Sequence, residues 1–166
     1  MSAIRSRADK LRVNVTSIYA FTQFAISVGQ KLPSCRNNLD APFVRSYPEN
    51  CCELVSIHLG LTLQAANSES EVEIVRAYNR DNDEWHYWVE MNNLVFDLTA
   101  HQFEGYKKPL VCAEPSPFEI RFPDMERISI GEAEIKAQFG VNSKIMHILS
   151  DCYQLATTTP LAKQLP

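Results

Sequence analysis

The chain has 166 residues, 45% hydrophobic and 22% charged, enough to close one core and too mixed for a disordered, fibrous or coiled-coil protein. Sixteen Lys+Arg against twenty Asp+Glu give a net charge of −4. A surface dedicated to DNA or RNA needs a basic excess to displace counterions, so no nucleic-acid partner is expected.

The N-terminus, Met1 to Lys10, is charged and lacks the apolar stretch of a signal peptide. Residues 3 to 31 then place Ile4, Leu11, Val15, Ile18, Phe21, Phe24, Ala25 and Val28 at roughly helical spacing. One or two amphipathic helices are expected in an N-terminal segment covering 1–35. Its apolar part, Ile18 to Val28, is interrupted by Thr22, Gln23 and Ser27 and is too short to span a bilayer. A soluble, cytoplasmic protein with no membrane partner follows, leaving room for export that needs no signal peptide. Residues 32–50, with Pro33, Pro42 and Pro48, read as an irregular surface segment. Cys52 to Ala66 holds one Gly, no Pro and dense apolar residues, which predicts a helix buried on most sides.

From residue 72 the period changes to two. Strands are expected near Val72–Ala77, Trp85–Glu90 and Leu94–Leu98, with Asn92-Asn93 as a hairpin turn because Asn tolerates positive φ. After Gln102 the signals weaken, and Pro115, Pro117 and Pro123 mark a loop-rich stretch. Helices are expected from Ile130 to Phe139 and from Ser143 to Leu155, the second ending before the Thr-Thr-Thr-Pro tail. No linker divides the chain, so 1–166 reads as a single α+β domain.

Five cysteines, Cys35, Cys51, Cys52, Cys112 and Cys152, fit neither a disulfide framework nor the ligand spacing of a zinc site. Neither a metal nor a cofactor is expected. Cys52 lies where a Pro-containing loop becomes an apolar helix. In the first helical turn, free N–H groups and the positive end of the helix dipole stabilise a thiolate. Asn50 can supply the left-handed backbone of a sharp turn into the helix, and Cys51 then falls outside the alignment. A cysteine on an apolar helix is by itself an ordinary packing residue. What changes its meaning is the stretch Glu84-Trp85-His86-Tyr87-Trp88-Val89-Glu90 and, beyond the turn, Asp97.

His86 shares a strand face with Trp88 and Glu90. A loop at Asn92-Asn93 pairs His86 with Thr99 and leaves Asp97 diagonal on the same face, whereas a loop at Met91-Asn92 pairs His86 with Asp97 directly. A loop of odd length without a bulge would separate them. Asp97 interrupts an apolar strand, where a carboxylate is costly unless paired, and an imidazole is the natural partner. Alternatively, Asp97 bonds local backbone at a strand end, with Thr99 to Gln102 spelling a capping box. Tyr47, Trp88 and Gln102 are the candidate substrate-cleft residues. Tyr47, like Ser46, reads more simply as a loop residue, and Gln102 more simply as the end of that capping box. His58 falls about 240° around the helix from Cys52 and cannot share its face. His101 is expected to be exposed, and His147 has no evident partner. The aromatic residues around 85–106 read as core and cleft wall, since no interleaved Lys and Arg make them a stacking platform for nucleic acid.

Cys-x-x-x-Ser on an apolar helix, then His-x-Trp-Val-Glu, a short turn and Asp-Leu-Thr-x-x-Gln-Phe, resembles the transglutaminase-like branch of the papain-like cysteine protease superfamily. The resemblance covers residues 49–103, about a third of the chain. It implies a nucleophile helix packed on a small antiparallel sheet, with N- and C-terminal helices added, and a triad of Cys52 as nucleophile, His86 as base and Asp97 as its orienter. Ser56 fills the small position one turn after the nucleophile. Many relatives carry Gly just before the nucleophile, where this chain has Glu49-Asn50-Cys51.

Two functions compete. The first is a thiol hydrolase or acyltransferase that attacks a peptide or side-chain amide through a thioester: a peptidase, amidase or glutamine deamidase, or a transglutaminase, with a protein or peptide substrate. The second is a catalytically silent binding or regulatory domain of the same fold. Sequence sets no oligomeric state. A third reading makes residues 3–31 a partner-binding segment and Cys52 merely structural.

Overall fold

A computed structural model describes residues 15–39, 41, 44–137 and 140–158. Helix α1 spans Val15–Cys35 and α2 spans Cys52–Ala66, with short 3-10 turns between them. Three strands follow: β1, Val72–Asn79; β2, Glu84–Met91; and β3, Leu94–Asp97. After a 3-10 turn at Ala100–Gln102 come β4, Leu110–Ala113, and β5, Asp124–Ser129, then α3, Ile130–Lys136, and α4, Ser143–Thr158. The strands form one antiparallel sheet in the order β4-β3-β2-β1-β5, an α+β architecture in which β2 is central.

Alternation along the strands gives the sheet two buried faces. Ile74, Val89, Met91, Leu94 and Phe96 pack with α1, α2 and α4 into the larger core. Val75, Ala77, Trp88 and Val95 face the other way, where Phe103, Phe118 and Phe122 cover them. The hairpin β2–β3 turns on Asn92 and Asn93, with φ of 53° and 62°, and pairs Met91 with Leu94. Positive φ at both central residues gives the turn whose twist suits flanking strands.

Several expectations change. The N-terminal segment is one helix within the described residues, and it continues through Pro33 to Cys35 rather than stopping at 31. Leu32, fully buried, extends the apolar stripe of Phe24, Ala25 and Val28 by one more turn and holds that end in place. The expected helix portion before Val15 lies outside the described residues. The stretch after Gln102 contains two strands that periodicity does not reveal. β5 lies at the sheet edge and buries only Ile128, so it shows no alternation. Helix α3 ends at Lys136, while the expected extension to Phe139 ends outside the described residues. Helix α4 runs into the Thr tail as far as Thr158, where hydroxyls of Thr157 and Thr158 bond back to carbonyls of Tyr153 and Gln154.

Two features fix α2. At Gly60 a Cβ would come within 2.6 Å of Ile130 Cδ1 on α3 and 2.9 Å of Ile74 Cδ1 on β1, so both side chains would have to shift to admit one. His58, buried two residues earlier, donates from Nδ1 to Leu54 O at 2.7 Å and accepts the Asn142 N–H at Nε2 over 2.8 Å. The second bond needs a ring lone pair, so it exists only with a neutral imidazole. Burial pulls this imidazole's pKa down, outweighing the Leu54 carbonyl.

Gly60→Ala is expected to lower stability by about 1–3 kcal/mol, read as a shift in urea midpoint without a change in slope. The His58 contribution has a defined sign. Its folded pKa lies below the unfolded value of 6.5, so the stabilisation is complete above that pH and is lost as pH falls below it. The stability difference between wild type and His58→Gln should therefore shrink between pH 7.5 and pH 5, at up to about 1.4 kcal/mol per pH unit.

Candidate active site

Cys52 is the first residue of α2. Asn50, at φ 57°, makes the left-handed turn that brings the chain into the helix. Cys51 faces inward: it is buried and its Sγ points to Pro48 O at 3.5 Å. Burial, then the neighbouring Cys52 and Asp97, push the Cys51 thiol up to about 12. Cys52 remains half-buried and lines a cleft of about 570 Å³ with Asn50, Arg76, Trp85, Tyr87 and Gln102. One helical turn on, Ser56 Oγ donates to Tyr87 O at 3.1 Å. That bond ties α2 to the backbone of β2 at the residue after His86, fixing how the first turn of α2 meets the imidazole.

His86 and Asp97 come together from β2 and the end of β3. The ladder pairs Val89 with Phe96, and continued in register it places Asp97 diagonal to His86 on the same face, the first of the two registers considered above. His86 Nε2 donates to Asp97 Oδ2 at 2.6 Å, and both side chains have 0% exposure. A carboxylate accepts and cannot donate, so this bond fixes the proton on Nε2. Nδ1 is the other ring nitrogen, enclosed and without a hydrogen bond of normal geometry. Cys52 nevertheless lies close enough to raise the imidazole's pKa. Burial lowers that pKa, while the Asp97 carboxylate and, after it, Cys52 more than reverse this, bringing the imidazole up to about 9. Around the ring stand Phe103 at 4.7 Å, Phe118 at 5.1 Å, Phe122 at 5.3 Å and Trp88 at 5.8 Å between centroids.

Sequence reasoning missed the role of Thr99. Its N–H and its hydroxyl both donate to Asp97 Oδ1, at 2.9 Å and 3.1 Å. With His86 on Oδ2, the carboxylate is held at both oxygens. Thr99 starts a 3-10 turn, and its side chain makes no cap, so the expected capping box is not formed. The Asp-x-Thr spacing was the available signal, since a carboxylate bonding donors two residues on is a common local turn.

The other candidates divide. Gln102 lines the cleft with Cys52, and its Nε2 is enclosed without an acceptor. Trp88 is fully buried behind His86, its Nε1 donating to Glu90 Oε1 at 3.1 Å, and so is a wall rather than a cleft surface. Tyr47 does not line the cleft: its hydroxyl donates to Leu98 O at 2.5 Å and ties the loop before α2 to the end of β3. Ser46 donates to Glu49 O at 2.8 Å, a loop bond. His101 is half-buried rather than exposed, edge-on to Tyr47 at 5.3 Å. His147 is exposed on α4. Among the described residues, the buried side-chain polar atoms without a partner are Arg76 Nε, His86 Nδ1, His101 Nδ1 and Gln102 Nε2. Arg76 and Gln102 line the cleft, His86 is the ring that Cys52 influences, and His101 adjoins Gln102 in sequence. Buried polar groups are normally paired, so the unpartnered atoms of Arg76 and Gln102, both lining the cleft with Cys52, are exceptions. No group of His, Cys, Asp and Glu suited to a metal ion occurs among the described residues.

Compared with protein-family models, with curated proteins and with solved structures, the chain matches none. The geometry makes its own prediction. Thr99→Val removes one donor to Asp97 Oδ1 and weakens the carboxylate's hold on the imidazolium. The pH at which Cys52 begins to alkylate rapidly should rise, because a less basic imidazole holds less of the thiolate as a thiolate–imidazolium pair. The rate near neutral pH should drop by roughly 3- to 10-fold, the effect of one hydrogen bond to a charged group felt through a second residue. Thr99→Ser should restore both. Alkylation against pH, followed by mass spectrometry, reads the outcome.

Proposed function

We propose that the chain is a cysteine-nucleophile acyl-transfer enzyme of papain-like or transglutaminase-like arrangement, acting on a peptide or side-chain amide. The observation that carries this reading is the fully buried His86–Asp97 hydrogen bond at 2.6 Å, whose ring also responds to a thiol at a helix N-terminus. A buried carboxylate holding an imidazole in one tautomer, beside an accessible cysteine, is the constellation that activates a thiol nucleophile.

Cys52 gives its proton to His86 Nδ1. The thiolate attacks the amide carbonyl carbon, forming a C–S bond and an oxyanion, which the free N–H groups of the first turn of α2 are oriented to stabilise. The C–N bond then breaks, and the departing amine takes the proton from His86, leaving a thioester on Cys52. Water attacks the thioester carbonyl while His86 Nδ1 takes its proton. The C–S bond breaks, the carboxylic acid leaves and the Cys52–His86 pair is restored. An amine in place of water would give transamidation. Of the two outcomes we take hydrolysis of a peptide or side-chain amide as the proposal. Asp97 accepts the Nε2–H and stabilises the imidazolium.

The reading is tested on the thiol itself. Iodoacetamide should alkylate Cys52 fastest of the five cysteines at a pH well below about 8.5, the free-thiol value, and His86→Ala should remove that advantage. Incubation with p-nitrophenyl acetate should leave one acetyl group on Cys52, slowly released. His86 remains an imidazolium up to about 9, so amide cleavage, which needs its proton for the leaving amine, should decline as pH rises through that value. Alkylation of Cys52 no faster than that of Cys35, or unaffected by His86→Ala, would sink the proposal.

A further inference from the structure

The cleft that holds Cys52 does not end at Trp85. Arg76 and Trp85 line it, and the same two residues line a second hollow of about 530 Å³ that continues past Tyr78, Pro123 and Met125. Trp85 is 45% exposed, with Tyr78 against it at 4.4 Å and the Arg76 guanidinium over its ring at 4.3 Å. The wall common to both hollows is therefore a cation resting on an aromatic face.

Other charges around this wall are largely committed. Arg80 pairs with Asp124, Arg121 with Glu84 at 3.0 Å, and the Tyr78 hydroxyl donates to Asp83 at 2.6 Å. Glu53 also lines the Cys52 cleft, where its charge acts on Tyr87. Glu126 is opposite Arg76 across the β1–β5 ladder and forms no ion pair with it. Arg76 itself makes no ion pair among the described residues, and its Nε is enclosed without an acceptor. A guanidinium offers donors in a planar fork that matches a carboxylate, and stacking on an indole pre-orders it for that contact.

We propose that Arg76 receives a carboxylate of the substrate, so that the amide attacked by Cys52 belongs to a molecule carrying an acidic group close to the scissile carbonyl. This inference rests on the acyl-transfer reading of Cys52 and names its substrate class. The carboxylate has two sources, an aspartyl or glutamyl side chain and a free chain terminus, and the same contact serves either.

Two alkylating agents that differ only in the relevant group provide the test. Iodoacetate carries a carboxylate where iodoacetamide carries an amide, and both react with a thiolate by the same displacement. The iodoacetate-to-iodoacetamide rate ratio at Cys52 is internal to each protein, so general changes in reactivity cancel. Arg76→Gln should lower this ratio about 5- to 10-fold, the effect of one charge-assisted contact screened at a cleft wall. Arg80→Gln removes the same charge from a residue already paired with Asp124 and should leave the ratio unchanged. N-acetyl-aspartic acid α-amide has only a side-chain carboxylate and N-acetylalanine only a terminal one. Whichever better protects wild-type Cys52 from iodoacetamide, and loses that effect in Arg76→Gln, identifies the source. A ratio indifferent to Arg76→Gln, an equal fall in Arg80→Gln, or no protection by either carboxylate overturns the inference. Failure of the acyl-transfer reading looks different: Cys52 would then show no fast, His86-dependent reaction with iodoacetamide at all.

Discussion

A carboxylate and an imidazole without solvent exposure are costly to bury, and the smaller of the two cores is organised around that cost. Each ion removed from water loses several kcal/mol of hydration, which mutual attraction recovers only when the remaining lone pairs are also satisfied. Here Asp97 Oδ2 accepts from His86 and Oδ1 from both donors of Thr99. Water must then be kept out, and residues 100–122 do this. Ser116 Oγ accepts the Phe118 N–H at 3.2 Å, closing the turn that aims Phe118 at the imidazole. Arg121 lies over Phe103 and Phe122 and is anchored to Glu84 of β2, the strand that carries His86. The sealing segment is thus pinned back to the strand it covers.

The same economy explains why two adjacent cysteines have opposite fates. Cys51 ends a loop whose tie, Tyr47 to Leu98 O, draws it into the larger core, where a thiolate would have no solvation. Cys52 begins α2, where unpaired N–H groups are available and the Ser56–Tyr87 bond sets its position against β2. A single residue of register decides which thiol is buried and which lines the cleft, and the left-handed turn at Asn50 precedes that choice.

Much of this was legible in the sequence because it rests on local rules. The limits of α2, the Asn92-Asn93 turn and the shared face of His86 and Asp97 follow from composition, from positive-φ tolerance and from alternation. What was not legible depends on partners distant in sequence. β5 is a strand because β1 offers it an edge, and only Ile128 of its residues reports burial. Thr99 and Gln102 match a capping pattern, but the Gln102 N–H closes a 3-10 turn onto the Thr99 carbonyl, and the threonine hydroxyl is turned to donate to the buried carboxylate two residues earlier. The aromatic shell about His86 comes from positions 88, 103, 118 and 122, which no periodicity connects.

Two buried histidines in one small domain show how little the residue type alone decides. His58 and His86 are both enclosed, and burial alone would keep each neutral. At His58 the second ring nitrogen receives an N–H, from Asn142, so protonation would place two donors face to face, and the ring serves as a neutral pin between α2 and the start of α4. At His86 one ring nitrogen meets a carboxylate, which favours a proton there, and the other responds to a thiol that has one to give. The donor or acceptor opposite the ring therefore separates a structural imidazole from one able to carry a proton. Since His86 and Asp97 differ by eleven positions but share one hairpin face, the two Asn residues at its turn are as much a condition for that chemistry as the side chains that meet.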